Sequence, residues 1–72
     1  MSSHIEYVVS VVINGRMRPI RSYGEAAFAA RFDPPDEPYQ VQWILRDRDK
    51  TTVLHTYQYQ AGQQADRLGL AS

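Results

Sequence analysis

The chain has 72 residues, 43% of them hydrophobic, no cysteine, and eight basic residues that balance eight acidic ones. So short a chain builds one core, and the lack of cysteine excludes disulfides, thiolate metal ligands and cysteine nucleophiles. Zero net charge excludes a whole-molecule attraction to nucleic acid, and no apolar run is long enough to span a bilayer. We therefore expect one cytoplasmic domain over residues 1–72, with an ordered core at about 4–60.

A β-hairpin is predicted at the start of the chain. Residues 5–13 alternate between the two sides of a strand, and Asn14-Gly15 follows directly, a dipeptide that favours tight hairpin turns. A second strand over residues 16–21 folds back on the first. Pro19 cannot donate a ladder hydrogen bond, so this second strand is expected at a sheet edge or bulged at Pro19.

The length of the hairpin loop decides which side chains face the core. A two-residue loop places Arg16 and Arg18 opposite Ile13 and Val11 on the apolar side. A three-residue loop sets Met17 opposite Ile13 instead. We favour the three-residue loop.

One helix is predicted after the hairpin. Ser22 and Glu25 have the spacing of a capping box, in which both side chains satisfy free N–H groups at a helix start. Phe28 and Phe32 lie one turn apart on the predicted helix, which ends at about Phe32. The proline-rich segment 33–38 then prevents the helix from continuing.

Two further strands complete the predicted fold. Residues 39–46 alternate again, residues 46–50 form a charged turn, and residues 51–60 are rich in β-branched and aromatic side chains. Residues 61–72 form either a short helix or a frayed tail. The expected fold is α+β, a ββαββ domain with a four-stranded antiparallel sheet and one helix packed on one face.

The sheet face opposite the helix is a candidate interface, since one short helix covers only part of one face. Alternation places Val8, Val12 and Ile44 on this open face, and an even-length turn between strands three and four adds Tyr57 and Tyr59. An odd-length turn moves Tyr57 into the core. Such mixtures of aromatic, apolar and polar groups are typical of interfaces, although β-propensity alone also explains them. If this open face is an interface, we expect the chain to form a homodimer that buries Val8, Val12 and Ile44.

Positive charge is concentrated on the second strand. Arg16, Arg18, Arg21 and Arg31 are offset only by Glu25 between residues 16 and 31. Such an edge contacts an acidic protein surface or phosphates. It also protects an exposed strand from pairing with other chains, and the two interpretations stay open.

The sequence offers no pattern for catalysis, for a metal or for a cofactor. His4 and His55 are the only histidines, and no carboxylates with metal-ligand spacing accompany them. No nucleophile elbow surrounds a serine, and the four glycines are scattered singly, without a phosphate-binding loop. We expect no enzymatic activity, no metal and no cofactor.

No family motif is matched. In its size, its lack of cysteine and its α+β make-up, the chain is similar to many small bacteriophage-encoded inhibitors, including anti-CRISPR proteins. This similarity is one of size class and does not assign a functional role to any residue. We therefore expect a bacterial or phage protein-binding module, an inhibitor or an adaptor. A nucleic-acid binder using the basic hairpin edge is the alternative, and a structural subunit of an assembly is a third. The candidate partner-binding residues are Arg16, Arg18, Arg21, Val12, Ile44, Tyr57 and Tyr59.

Overall fold

A computed structural model describes residues 3–65 and shows the predicted α+β fold. Its elements in chain order are β1 (Ser3–Ile13), β2 (Arg16–Gly24), α1 (Glu25–Arg31), β3 (Tyr39–Asp47) and β4 (Lys50–Tyr59). The strands form one antiparallel sheet in the order β2-β1-β3-β4. The ββαββ prediction is therefore confirmed, with β2 and β4 as the two edge strands.

The β1–β2 hairpin has a two-residue loop. Asn14-Gly15 takes positive φ at both residues, 54° and 78°, and Ile13 pairs with Arg16. Positive φ at both positions is the property that makes this dipeptide a hairpin turn. The preferred three-residue loop is therefore wrong, and Met17 lies opposite Val12. The arginines are tolerated on the apolar side because β2 is an edge strand, where long side chains reach solvent.

The predicted edge position and bulge of the second strand are both confirmed. Arg21 pairs with Val9 and Pro19 pairs with Ser10, which leaves Ile20 as the extra residue of a β-bulge. A proline at a bulge on an edge strand removes no ladder hydrogen bond that the sheet requires.

A second bulge, in β4, determines where its aromatic side chains lie. The turn between β3 and β4 has an even length, residues 48–49, but Leu54 is left as an extra residue. The pairs on either side of the bulge are Val53 with Ile44 and His55 with Trp43. Because one extra residue reverses the alternation, Tyr57 and Tyr59 lie on the helix side of the sheet. Their placement on the open face, which the even-length turn predicts, is therefore wrong even though the turn has an even length.

The helix begins without the predicted capping box. α1 starts at Glu25, Gly24 is the N-cap, and no side chain of the described residues caps the helix. Ser22 instead belongs to β2, and its hydroxyl donates to Glu6 at 3.1 Å. The capping-box prediction is wrong because β2 continues in extended conformation up to the helix. α1 ends at Arg31, one residue before the predicted end.

An aromatic cluster joins the helix to the sheet. The ring of Phe28 stacks on Tyr7 with centroids 4.7 Å apart and on Phe32 with centroids 4.6 Å apart. Tyr23 packs edge-on against both phenylalanines. The buried residues of this core are Tyr7, Val9, Val11, Phe28, Tyr39, Val41 and Ala65. The helix therefore covers the β1–β2 half of its sheet face.

The chain after β4 returns to the core. The hydroxyl of Tyr39 donates to the carbonyl of Gln63, and Ala65 is buried. Residues 60–65 contain a turn and no helix, and the rest of the predicted short helix or tail lies outside the described residues. In the part of the chain that the structure describes, no helix has the length and apolar character needed to cross a membrane.

Candidate protein-binding surface

Three exposed arginines form a row on one side of β2. A regular strand would point Arg18 and Arg21 to opposite sides, since they are three residues apart. The bulge at Ile20 brings Arg21 to the same side as Arg16 and Arg18. These three residues, here called the arginine row, pair across the strand with Ile13, Val11 and Val9. The row therefore lies on the helix side of the sheet, along its β2 edge.

The arginine row carries its positive charge without an ion pair to the described part of the chain. Within residues 3–65, the carboxylate of Glu6 contacts Arg46 and His4, and no carboxylate lies within ion-pairing distance of the arginine row. At a rise of about 3.3 Å per residue, the row extends over roughly 13 Å of strand. It presents three guanidinium groups whose N–H groups can donate hydrogen bonds to an anionic partner.

The end of the hairpin carries exposed apolar side chains next to these charges. β1 pairs with β3 only as far as Val11, so residues 12–17, here called the hairpin tip, extend beyond the neighbouring strand. Val12 is 51% exposed and lies opposite Met17, which is 44% exposed. Ile13, on the arginine side, is also 44% exposed. The tip therefore offers apolar contact area on both of its sides.

A mixed-charge cleft lies at the other end of the arginine row. Arg21 and Arg31 line this cleft of about 580 Å³ together with Asp33 and Asp36. Its remaining walls are Ile20, Tyr23, Pro34 and Pro35. Two acidic side chains therefore adjoin the end of the arginine row.

The open face is less apolar than its alternation indicated. Ile44 lies on this face but is only 4% exposed, so its side chain has almost no surface to offer a partner. Gln58 donates to Gln40 at 3.0 Å, and Gln42 donates to Thr56 at 3.5 Å. These four polar side chains, here called the amide ladder, cross the β3–β4 half of the face. A continuous apolar patch for a homodimer is therefore interrupted.

A charged cluster occupies the other end of the open face. Glu6 accepts hydrogen bonds at 2.8 Å from Arg46 and His4, and at 3.1 Å from Ser22. The Arg46 guanidinium, followed by His4 and Ser22, lowers the pKa of Glu6 to about 2. Arg46 also donates to Thr51 at 3.2 Å. The cluster links all four strands and satisfies its own charges, so it offers a partner little.

The aromatic residues of β4 pack at the margin of the core. Tyr59 stacks on Tyr39 with centroids 5.1 Å apart, and His55 stacks between Trp43 and Tyr57 at 5.3 and 5.7 Å. His55, which pairs with Trp43, therefore lies on the helix side. Tyr57 and Tyr59 are half-buried and are not on the surface that was assigned to them. The bulge at Leu54 is the cause, and no glycine or proline marks it in the sequence.

Among residues 3–65, no three histidine, aspartate or glutamate side chains come together in a group that could hold a metal ion. Searches of protein-family models, of curated proteins and of solved structures find no match to the chain. The function is therefore argued from the geometry of the arginine row and the hairpin tip.

Proposed function

We propose that the chain is a non-enzymatic protein-binding module, an inhibitor or adaptor that occupies an acidic surface of a partner in the cytoplasm. The observation that carries this proposal is the arginine row, whose three exposed guanidinium groups are unpaired with described carboxylates and adjoin the hairpin tip. Arginine beside exposed apolar area is the composition of interface hot spots.

Edge protection alone does not account for the arginine row. Pro19 and the bulge at Ile20 already interrupt the outer edge of β2. Protection of an edge strand requires a charge or a proline, and β2 has both together with a bulge. The bulge also gathers three arginines on one side, which protection does not require. This arrangement supports a contact with a partner.

A protein partner fits this surface better than nucleic acid does. A phosphate backbone following the row would meet Asp33 and Asp36 where the row ends at Arg21. The negative phosphates and these two carboxylates repel each other, which weakens binding, whereas a protein surface can place a basic group opposite the carboxylates. The exposed Val12 and Met17 also find apolar partners on a protein and few on a duplex backbone.

The test compares two variants that lose the same charge. Arg16→Gln with Arg18→Gln removes two charges from the row, and Arg48→Gln with Lys50→Gln removes two from the β3–β4 turn. Glutamine keeps part of the aliphatic stem that covers the sheet edge. Partners are captured from bacterial lysate, identified by mass spectrometry, and titrated with each purified variant. We expect the row variant to bind at least tenfold more weakly, about 1.4 kcal/mol, and the turn variant to bind like the wild type.

Thermal melts of both variants provide the control for folding, since exposed charge substitutions shift stability by less than about 0.5 kcal/mol. Equal binding by the two variants would remove the arginine row from the interface. The nucleic-acid alternative is tested with single- and double-stranded oligonucleotides between 50 and 300 mM salt. Tight binding that the row variant loses, with a steep salt dependence, would establish that alternative in place of protein binding.

A further inference from the structure

The two edges of the sheet are built differently. β2 carries the arginine row, a proline and a bulge. In β4, the nine residues Thr51–Tyr59 contain no aspartate, glutamate, lysine, arginine or proline, and one histidine, His55. Natural edge strands are normally protected by charge, proline or a cover, because an open edge pairs with other strands. β4 has one bulge, at Leu54, and beyond it the edge is regular.

The regular part of β4 is self-complementary. Residues 55–59 pair with β3 without interruption. In an antiparallel pair of two such segments centred on Tyr57, Thr56 of one copy lies opposite Gln58 of the other, and His55 lies opposite Tyr59. On the open face, the amide ladder then continues from one copy into the next, with hydroxyl and amide groups side by side. On the helix side, the aromatic side chains of His55, Tyr57 and Tyr59 in one copy continue in the same way into those of the other copy.

The charges of the chain favour the same arrangement. Lys50, the one charged residue of β4, lies outside the paired segment, so the two copies bring no like charges opposite each other. The arginine rows stay on the outer β2 edges. We propose that β4 pairs antiparallel with β4 of a second copy of this chain, which joins the two sheets into one of eight strands. This inference is independent of the proposed function, because it uses the opposite edge.

The first experiment measures mass in solution. Sedimentation equilibrium between 5 and 500 μM is expected to show the wild type approaching twice the chain mass of 8.3 kDa. Thr56→Lys with Gln58→Lys places two lysine pairs across the two-fold axis, and both positions are exposed. We expect the dissociation constant of this variant to rise at least tenfold. Ala26→Lys with Ala30→Lys adds the same charge on exposed positions of α1 and is expected to leave the dimer unchanged.

The second experiment tests the register and controls for folding. Thr56→Glu with Gln58→Glu is expected to be monomeric by the same repulsion. Mixed with the lysine variant, it places each lysine opposite a glutamate, so the mixture is expected to form a heterodimer. A wild type that stays monomeric up to 500 μM would overturn the proposal. A dimer that the lysine variant leaves intact, or a mixture that stays monomeric, would also overturn it.

Discussion

The hydroxyl of Tyr7 is the basis of an unusual stability prediction. Tyr7 is 2% exposed, its ring stacks on Phe28 and lies 6.0 Å from Trp43, and its buried hydroxyl has no hydrogen-bond partner among residues 3–65. Burial, followed by the nearby Glu25, raises the pKa of this phenol. A buried polar group without a partner costs about 1–3 kcal/mol. Tyr7→Phe keeps the ring and removes the unpaired oxygen, so we expect it to stabilise the fold by about 1 kcal/mol.

Tyr39 provides the matched comparison, because it is equally buried but its hydroxyl donates to the carbonyl of Gln63. Burial raises the pKa of Tyr39 to about 12. Tyr39→Phe removes the donor and leaves that carbonyl without it, so we expect a loss of about 1 kcal/mol. The same chemical change therefore has opposite effects at two positions of one core.

Urea unfolding followed by the fluorescence of Trp43 measures both effects. A domain of this size has an m-value of about 1 kcal/mol per molar urea, so the two midpoints are expected to move about 1 M in opposite directions. Equal m-values for the three proteins confirm that the unfolded states are comparable. If Tyr7→Phe is destabilised as much as Tyr39→Phe, the Tyr7 hydroxyl has a partner and the argument is refuted.

Two further predictions concern the charged cluster and the β2 bulge. The pKa of Glu6 is lowered to about 2, chiefly by Arg46, so its stabilisation is present above pH 4.5 and is lost as the pH falls toward 2. Because Arg46 is partly exposed, we expect Glu6→Gln to cost only about 1 kcal/mol at pH 7, and progressively less as the pH falls from 4.5 toward 2, in urea titrations with Glu37→Gln as the control substitution. Deleting Ile20 removes the bulge but leaves the strand pairs on either side of it in register, so Arg21 and Tyr23 keep their sides and we expect the deletion to cost under about 1 kcal/mol. Ile20→Ala keeps the bulge and is expected to cost as little, and a thermal melt in which the deletion alone loses about 2 kcal/mol or more would contradict this reading of the register.

Alternation and turn chemistry predicted the elements of this fold well. The alternating strands, Asn14-Gly15 and the proline at residue 19 each indicate a local geometry, and all three features are present. What alternation does not determine is the side on which a strand continues after a bulge. Leu54 is an ordinary strand residue in the sequence, yet it reverses the side of every residue up to Tyr59. The predicted capping box failed for a similar reason, because local spacing cannot show that β2 extends through Ser22.

The functional consequence of the two bulges is that the edges of one sheet acquire different properties. The bulge in β2 places the three arginines on one side of the strand. The bulge in β4 places the aromatic side chains on the helix side and leaves a regular edge without charged residues beyond it. In the proposed dimer, a two-fold axis perpendicular to the sheet keeps both helices on one face and both arginine rows at the outer edges. Seven strand spacings of about 4.8 Å separate these rows by roughly 34 Å. A partner with two acidic sites at that distance would gain avidity from the dimer, whereas a single acidic site would not. The monomeric lysine variant therefore tests the two surfaces separately. If the arginine row and the β4 edge act independently, this variant keeps its affinity for a single acidic site but captures a partner with two such sites more weakly than the wild type does.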